Sequence, residues 1–247
     1  MQVLYYPELD STNRLARELA LEGAEPGLVI RAGRQSAGRG QYERGFSSPA
    51  GGLYFSLLLR PPVPAREAAM TTLAAGLGCR DALRELCGLA AMLKWPNDLY
   101  AADRKIAGIL CEYMSGPELA EPVVIVGAGI NVNSRVADFP VELHDILSTV
   151  RELTGAEHDM EAVLAACAEG IERRAAQLAE DRARFLADWR EADYLAGRPL
   201  RHLLKDEELA RGTGLGIDEA GRYLLRLEDG EVREILGGQL RIAETGQ

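Results

Sequence analysis

Lys94-Trp95-Pro96-Asn97-Asp98-Leu99-Tyr100, joined a few residues later by Arg104-Lys105-Ile106-Ala107-Gly108-Ile109-Leu110-Cys111-Glu112, is the stretch that decides how this 247-residue chain is read. The run Met92-Leu93-Lys94-Trp95 reads as an apolar strand ending in a lysine and a tryptophan, and Pro96-Asn97-Asp98 forces a turn at once. A lysine is costly to bury without a partner, so Lys94 either meets a carboxylate or phosphate or snorkels to water from a structural turn. Lys105 opens a strand, Ile106 to Tyr113, that is otherwise too apolar to need it. Alone, it also reads as an exposed strand-opening lysine.

Towards the N-terminus, Leu53 to Leu59 reads as a buried strand closed by Arg60-Pro61-Pro62, and Leu28-Val29-Ile30 as another. Between them Gly33 to Gly52 is too long for a tight hairpin turn, and loops of that length are functional or disordered. Within it lies Gln35-Ser36-Ala37-Gly38-Arg39-Gly40-Gln41-Tyr42-Glu43-Arg44. Glycines on both sides of Arg39 let backbone N–H groups turn inward as an anion-binding nest. Arg39 and Arg44 add permanently charged donors suited to carboxylate or phosphate. Taken alone, the segment reads equally as a solvated surface loop. Val3 to Tyr6 is a short strand, and Asp10-Ser11-Thr12-Asn13 precedes Leu15, Leu19 and Leu21 as the start of a helix capped by Ser11. Two hydroxyls and an amide in a row also suit a polar ligand group such as a ureido ring.

Towards the C-terminus, Ala65 to Cys87 carries Met70, Leu73, Leu77, Cys79, Leu83 and Leu86 at helical spacing. Val123 to Val126 is a strand ending at Gly127, followed by Gly127-Ala128-Gly129-Ile130-Asn131-Val132-Asn133. No third glycine follows and no helix opens at once, which disfavours a dinucleotide fingerprint. Asn131 is then either a ligand-binding amide or a turn residue. Helix is expected after Pro140, then one long amphipathic helix with Met160, Val163, Leu164, Cys167, Ile171, Leu178 and Phe185 on one face. From Arg198 onward, short runs between the turns Asp218-Glu219-Ala220-Gly221 and Asp229-Gly230 suggest a small β-barrel. The pattern gives a mixed α/β domain to about residue 190 and then an all-β module.

Composition removes several classes of function. The charge of −10, from 28 Lys+Arg against 38 Asp+Glu, repels phosphate backbones and disfavours a dedicated nucleic-acid binder. Cys79, Cys87, Cys111 and Cys167 contain no C-x-x-C pair, and His144, His158 and His202 are isolated, so zinc-ligand spacing is absent and the cysteines read as small core hydrophobes. No apolar run approaches the roughly 20 residues that span a bilayer, and Met1 to Pro7 lacks the features of a signal peptide. A cytoplasmic protein is expected.

Taken in order, Ser11-Thr12-Asn13, Ala37-Gly38-Arg39-Gly40, Lys94-Trp95-Pro96-Asn97-Asp98, Arg104-Lys105-Ile106-Ala107-Gly108-Ile109-Leu110 and Gly127-Ala128-Gly129-Ile130-Asn131 resemble the biotin protein ligases. The likeness covers nearly the whole chain, including Gly214-Leu215-Gly216-Ile217-Asp218 and Gly237-Gly238. It implies an α+β fold: a class II synthetase-like catalytic domain, with a mixed sheet flanked by helices, over residues 1–195, and a small C-terminal SH3-like β-barrel over 196–247. It further implies an enzyme that makes biotinyl-5′-AMP from biotin and MgATP, releases pyrophosphate, and passes biotin to one lysine of a biotin carboxyl carrier protein. By the same resemblance, Ser11, Thr12, Asn13 and Gln35 hold the biotin head group, and Arg39, Gly40 and Gln41 lie in the loop that closes over biotin and the adenylate. Lys105 contacts the biotin carboxylate and the α-phosphate, making Lys105 and Arg39 the catalytic pair. Lys94, Asn131 and Arg44 fall to ATP; apart from the resemblance, the chemistry of Asp98 suits it either to help hold Mg²⁺ or to orient Lys94. The chemistry agrees: carboxylate attack on a phosphate brings two anions together, so fixed cations and N–H donors must offset the repulsion.

The sequence departs from the family pattern in its loop and at its end. The family loop commonly runs Gly-Arg-Gly-Arg-x-Gly-Arg; here Gln41 stands for the second arginine and Glu43 for the later glycine. A cation lost and an acid gained imply weaker retention of the adenylate. Gly238-Gln239 stands for the usual Gly-Glu, and Ala243 for an arginine commonly found near it. Some members carry an N-terminal helix-turn-helix and act as repressors. With Ser-Thr-Asn beginning at residue 11 and an acidic charge, the expectation is a ligase without specific DNA binding. Members often dimerise through an edge of the main sheet, so a homodimer is possible. The competing readings are a lipoate- or octanoate-attaching enzyme, which ligand competition separates, and a biotin-sensing module left catalytically silent by its altered loop.

Overall fold

The computed structural model describes residues 1–243. Residues 244–247, the end of the expected C-terminal module, and the Glu43 side chain lie outside the described residues. In chain order the first part comprises β1 (Gln2–Tyr6), α1 (Thr12–Leu21), β2 (Leu28–Ala32), β3 (Leu53–Leu59), α2 (Ala69–Cys87), β4 (Met92–Lys94), β5 (Asp98–Ala101), β6 (Arg104–Met114) and β7 (Val123–Ile130). Then come α3 (Val150–Thr154), α4 (Met160–Glu180) and α5 (Arg182–Glu191).

The strands form one seven-stranded sheet in the order β1-β2-β3-β7-β6-β5-β4. Only β1 and β2 run parallel; the remaining neighbours are antiparallel, so the sheet is mixed as expected. Strands β3 and β7 are buried at every residue, which follows from their central place between layers and explains their unbroken apolar runs. Alternate side chains feed two cores. Ile30, Leu58 and Ile125 face Ala16 and Ala20 of α1, whereas Val29, Leu57 and Val126 belong to the core shared with α2 and α4. Those two helices approach closely at paired glycines: a Cβ on Gly78 would lie 2.5 Å from the carbonyl carbon of Gly170. Cys79 and Cys167 are buried and all four cysteines are free thiols.

Several local expectations are corrected. Strand β7 does not stop at Gly127 but runs through Gly127-Ala128-Gly129-Ile130, so the Gly-x-Gly lies inside a central strand. The long helix expected to reach Phe185 breaks at Asp181, whose carboxylate accepts the Arg184 N–H at 3.1 Å and caps a second helix carrying Phe185. After Pro140 there is a single helical turn, Val141–Leu143, before the short α3. Strand β5, hidden in the turn Pro96-Asn97-Asp98, was not read from the sequence. Ser11 does sit at the N-cap of α1 but its side chain makes no capping bond, and the Thr12 N–H, the first of the helix, donates to Gln35 Oε1 at 2.9 Å.

The C-terminal part is a second, antiparallel sheet of β8 (Pro199–Leu204), β9 (Glu207–Ile217), β10 (Tyr223–Leu227), β11 (Val232–Ile235) and β12 (Gln239–Ile242), ordered β11-β10-β9-β8-β12. Among the described residues no ladder joins β11 to β12, so the sheet is open where a closed barrel was expected. It is fastened to the first part through Trp95, whose Nε1–H donates to the Gly221 carbonyl at 3.0 Å and whose ring centroid lies 5.9 Å from that of Tyr223. The Tyr223 hydroxyl donates to Asp193 Oδ2 at 2.9 Å, and Leu195 N–H to Asp193 Oδ1 at 2.9 Å. Burial in this junction raises the Asp193 carboxyl to about 6, against the pull of those two donors. Among the described residues no helix is long and apolar enough to cross a membrane.

Candidate active site

The floor of the site is made of missing side chains. Gly127 and Gly129, two apart on β7, and Gly108, paired with Gly129 on β6, face the same side of the sheet. A Cβ on Gly127 would fall 2.1 Å from Asn13 Oδ1, and one on Gly129 would fall 2.4 Å from the Phe46 ring. One on Gly108 would lie 3.2 Å from that ring and 3.3 Å from Lys105 Nζ. Any larger residue in these central positions would fill the groove into which Asn13, Phe46 and Lys105 project. That is why a strand with no third glycine and no following helix still needs Gly-x-Gly.

One wall comes from the start of α1. The Ser56 hydroxyl on β3 lies 2.7 Å from Asn13 Oδ1 and 2.8 Å from Thr12 Oγ1. Asn13 Nδ2 donates to Glu112 Oε2 at 2.9 Å and to the Leu110 carbonyl at 3.2 Å. Gln35 Oε1 accepts from the Thr12 backbone, and its Nε2 donates to Ser48 Oγ at 3.0 Å. Ser11, Thr12, Asn13 and Gln35 thus form one corner at the groove, and a network fixes the rotamers of Thr12, Asn13 and Gln35 before any ligand arrives.

Over the groove hangs a small hairpin. Phe46 N–H donates to the Gly38 carbonyl at 2.8 Å and Gly40 N–H to the Arg44 carbonyl at 2.7 Å, so residues 38–46 double back with Gln41–Glu43 as the tip. The segment expected to be a long open loop is locally paired. It carries exposed Arg39 and Arg44 on its two arms, while Phe46 meets Tyr54 edge-on at 6.5 Å between centroids.

The opposite wall is the β4–β5 turn. Asn97 clamps it to β6, its Nδ2 donating to the Ile109 carbonyl and its own carbonyl accepting from Ile109 N–H, both at 2.8 Å. The β5–β6 ladder slips between Leu99 and Tyr100, so that Tyr100 faces Lys105 rather than Ile106. This bulge turns Lys105 to the groove side. Its ammonium lies 2.6 Å from Asp98 Oδ1 and 5.8 Å from the centre of the Phe46 ring. Its backbone is held by Ile146 and Ser148 at 2.9 Å each. Lys94 donates to the Tyr100 hydroxyl at 3.1 Å with its ammonium 4.6 Å above that ring. Burial pulls Lys94 below the ordinary lysine value, with Asp98 opposing and Lys105 and Arg241 reinforcing the shift.

These walls enclose a cleft of about 620 Å³ lined by Ser11, Thr12, Asn13, Gln35, Arg39, Gly40, Gln41, Arg44, Lys94, Asp98 and Lys105 among others. The structure therefore brings together every residue singled out from the sequence except Asn131. That side chain is buried away from the cleft lining, and its Nδ2 donates to the Ser148 carbonyl at 3.1 Å. Ser148 N–H in turn holds the Lys105 carbonyl, so Asn131 braces the lysine from behind. Asp98 pairs with Lys105 and not with Lys94. It is the one carboxylate among the described residues that line the cleft, and no cluster of three or more metal-ligating side chains occurs among the described residues. Asp98, paired with Lys105, would supply a single protein ligand to a Mg²⁺ whose other ligands came from a bound substrate or water.

Sequence reasoning missed Tyr42, Phe46, Ser56, Tyr100 and Arg241. Ser56 was recoverable, since a serine at the centre of the apolar run Leu53 to Leu59 is the one polar interruption. Arg241 is of special interest because Ala243 had been read as a lost arginine. Arg241 lies two residues earlier, on β12, and lines the cleft, whereas Ala243 lies beyond the end of that strand.

A glycine-floored cleft with an amide corner, two lysines and an arginine-bearing hairpin is the site of an enzyme suited to small anionic ligands. Residues 5–131 match the Biotin/lipoate A/B protein ligase family, and the chain belongs to it. It is 31% identical, over 257 residues, to the bifunctional ligase/repressor BirA of Bacillus subtilis, covering 97% of this chain and 74% of that protein. It is also 31% identical over 221 residues to the biotin–[acetyl-CoA-carboxylase] ligase of Mycobacterium tuberculosis, covering 87% of this chain and 79% of that protein. The biotin protein ligase from Aquifex aeolicus, solved in complex with biotin and ATP, superposes with a TM-score of 0.85 at 31% identity, covering 98% of this chain and 99% of that one.

Proposed function

We propose that this chain activates biotin with MgATP as biotinyl-5′-AMP and then transfers biotin to one lysine of a biotin carboxyl carrier protein. The observation that carries the reading is the position of Lys105. Its ammonium stands beside Gly108, where the absent side chain leaves room for a ligand carboxylate, and faces the cleft roofed by the hairpin of Arg39.

In the first step a biotin carboxylate oxygen attacks the α-phosphorus; the new O–P bond forms, the bond to the β-phosphate oxygen breaks, and pyrophosphate leaves with the electron pair. Lys105 and Arg39 act as the catalytic pair by offsetting the charge that accumulates there, a role worth about 10²–10³ in rate for one well-placed donor. Lys94 and Arg44 face the nucleotide phosphates, with Arg241 on the same rim, and Ser11, Thr12, Asn13 and Gln35 bind the ureido head group. Gly40 and Gln41 cover the product. In the second step the carrier lysine attacks the acyl carbon and AMP leaves. The cover shields the mixed anhydride from water in between.

We read residues 1–195 as the catalytic unit and 196–247 as an SH3-like β module. Supporting this are the two separate sheets and the ladder irregularities at His202/Leu203 and Leu224/Leu225, which curl the second one. The enzyme works in the cytoplasm, where its carrier and MgATP are found, and binds no specific DNA given its charge of −10. Strand β1 is an open sheet edge with Val3 and Tyr5 exposed, which suits pairing with a second copy as a homodimer.

The test is biotin-dependent ATP–pyrophosphate exchange, with lipoate in parallel, for the wild type and Lys105→Ala. Exchange with biotin alone, falling by about 10²–10³ in the variant, is the expected result. Exchange with lipoate alone would reassign the substrate. Biotin binding without exchange would leave a sensing protein.

A further inference from the structure

We propose that Tyr42 is a positioning residue that latches the arginine hairpin onto the C-terminal sheet, so that this sheet controls how tightly the cleft keeps its activated intermediate. The second half of that statement rests on the ligase reading; the latch itself does not.

Tyr42 sits at the tip of the hairpin, 58% exposed, with φ 56° and ψ 39°. That is the left-handed region, which an aromatic residue rarely occupies unless something outside its own turn holds it there. The holder is 196 positions away: the Tyr42 hydroxyl accepts the backbone N–H of Gly238 at 2.8 Å. Among the described residues this is the one hydrogen bond between residues 38–46 and the C-terminal sheet.

The receiving side is rigid. Gly238 has φ +93°, and a Cβ there would lie 2.5 Å from the Leu203 carbonyl oxygen and 2.8 Å from His202 Nε2. Gly237 is pinned to β8 by a contact of 2.8 Å between its carbonyl and His202 Nε2. A Cβ on Gly237 would come to 3.2 Å from the Tyr42 hydroxyl. Two glycines therefore clear a socket for the phenol, and the segment that follows, Gly238 to Arg241, lines the cleft. The side chain is mostly exposed and belongs to neither hydrophobic core, so folding does not explain the contact. What it does is hold the tip down and keep Arg39 over the groove. In a loop where Gln41 provides no charge, a hydrogen bond to the C-terminal sheet takes over part of the retention.

Tyr42→Phe keeps the ring and removes the acceptor. Two readouts are made on the same preparation: amide hydrogen exchange at Gly238 and residues 38–46 without ligand, and the rate at which pre-formed biotinyl-AMP leaves. A hydrogen bond of net 0.5–1.5 kcal/mol corresponds to about two- to twelvefold, and both rates should rise by that factor. The KM for biotin should rise with them, kcat for pyrophosphate exchange should change less, and the thermal midpoint should stay close to that of the wild type. Tyr42→Gly, which also relieves the left-handed turn, should release the adenylate at least as fast. Unchanged protection at Gly238, or protection lost while adenylate release and KM stay as in the wild type, would overturn the latch. A wild type that forms no biotinyl-AMP would instead sink the ligase reading, because hydrogen exchange needs no substrate.

Discussion

Replacing Gly127 with alanine puts a methyl group where Asn13 already lies, 2.1 Å from its Oδ1 and 2.8 Å from its Cγ. Neither partner can simply step aside. Gly127 is locked in ladders to Ser56 on β3 and Leu110 on β6, and Asn13 is 5% exposed with bonds to Ser56, Glu112 and Leu110. The Asn13 side chain must therefore leave its seat. Three hydrogen bonds at a net ~1 kcal/mol each put the loss at about 2–4 kcal/mol. For a chain of this size that is a fall of about 5–15 °C in Tm. Because Asn13 stands in the corner proposed for the biotin head group, the Kd for biotin should rise by about tenfold or more. Asn13→Ala loses the same bonds but not through a clash, so adding Gly127→Ala to it should cost little further. The double-mutant cycle, read by thermal unfolding and by calorimetric titration with biotin, should be strongly non-additive. A Gly127→Ala protein with wild-type Tm and biotin affinity, or an additive cycle, would refute the argument.

Other consequences follow from single contacts. Asp193 titrates at about 6 when folded and near 3.9 when unfolded, so it binds its proton more tightly in the folded chain. Its contribution to stability therefore declines as pH rises from about 4 to about 6 and is flat above that. Asp193→Asn should flatten the dependence, and urea unfolding at about pH 4.5 and 7 that shows an unaltered difference would contradict this. Gln41→Arg restores a cation to the hairpin tip and should slow release of biotinyl-AMP by about fivefold or more; equal release rates in a trapping assay would count against it. Gly78→Ala places a methyl group 2.5 Å from Gly170 and from the Ile171 nitrogen. Forcing α2 and α4 apart should cost about 1–3 kcal/mol and leave biotin affinity untouched, and an unchanged Tm would show that the helices have slack.

Much of the scaffold could be read locally because its signals are local. The apolar run Leu53 to Leu59 is a central strand residue for residue, and the helix over Ala65 to Cys87 survives as α2 from Ala69 after a preceding turn. Most of the misreadings share one cause, which is that the deciding partner is far away in sequence. Gly127-Ala128-Gly129 looked like the end of a strand because glycine weakens strands, yet it continues because Asn13 and Phe46 need the space above it. Ser11 has the right residue type for a cap and sits at the N-cap, yet its side chain makes no capping bond. The helix through Phe185 kept its apolar face across a break that the local capping residue Asp181 alone announces. Within the cleft, residue types with unusual chemistry were legible and their partners were not. Lys105 and Asp98 were both singled out, but their pairing depends on a bulge at Leu99/Tyr100 that leaves no sequence signature. Arg241 escaped because nothing local in the sequence shows that β12 returns to the rim of the cleft. Asn131 was assigned outward to the nucleotide, whereas its hydrogen bond runs inward to Ser148.

The central claim is that this cleft activates biotin and hands it to a carrier lysine. The direct measurement is the intact mass of a biotin carboxyl carrier domain after incubation with this protein, biotin and MgATP. The account predicts one added biotinyl group on a single carrier lysine, dependent on both biotin and ATP and lost with Lys105→Ala. A carrier whose mass does not change while the protein binds biotin, or one modified equally well by the Lys105→Ala variant, would contradict it.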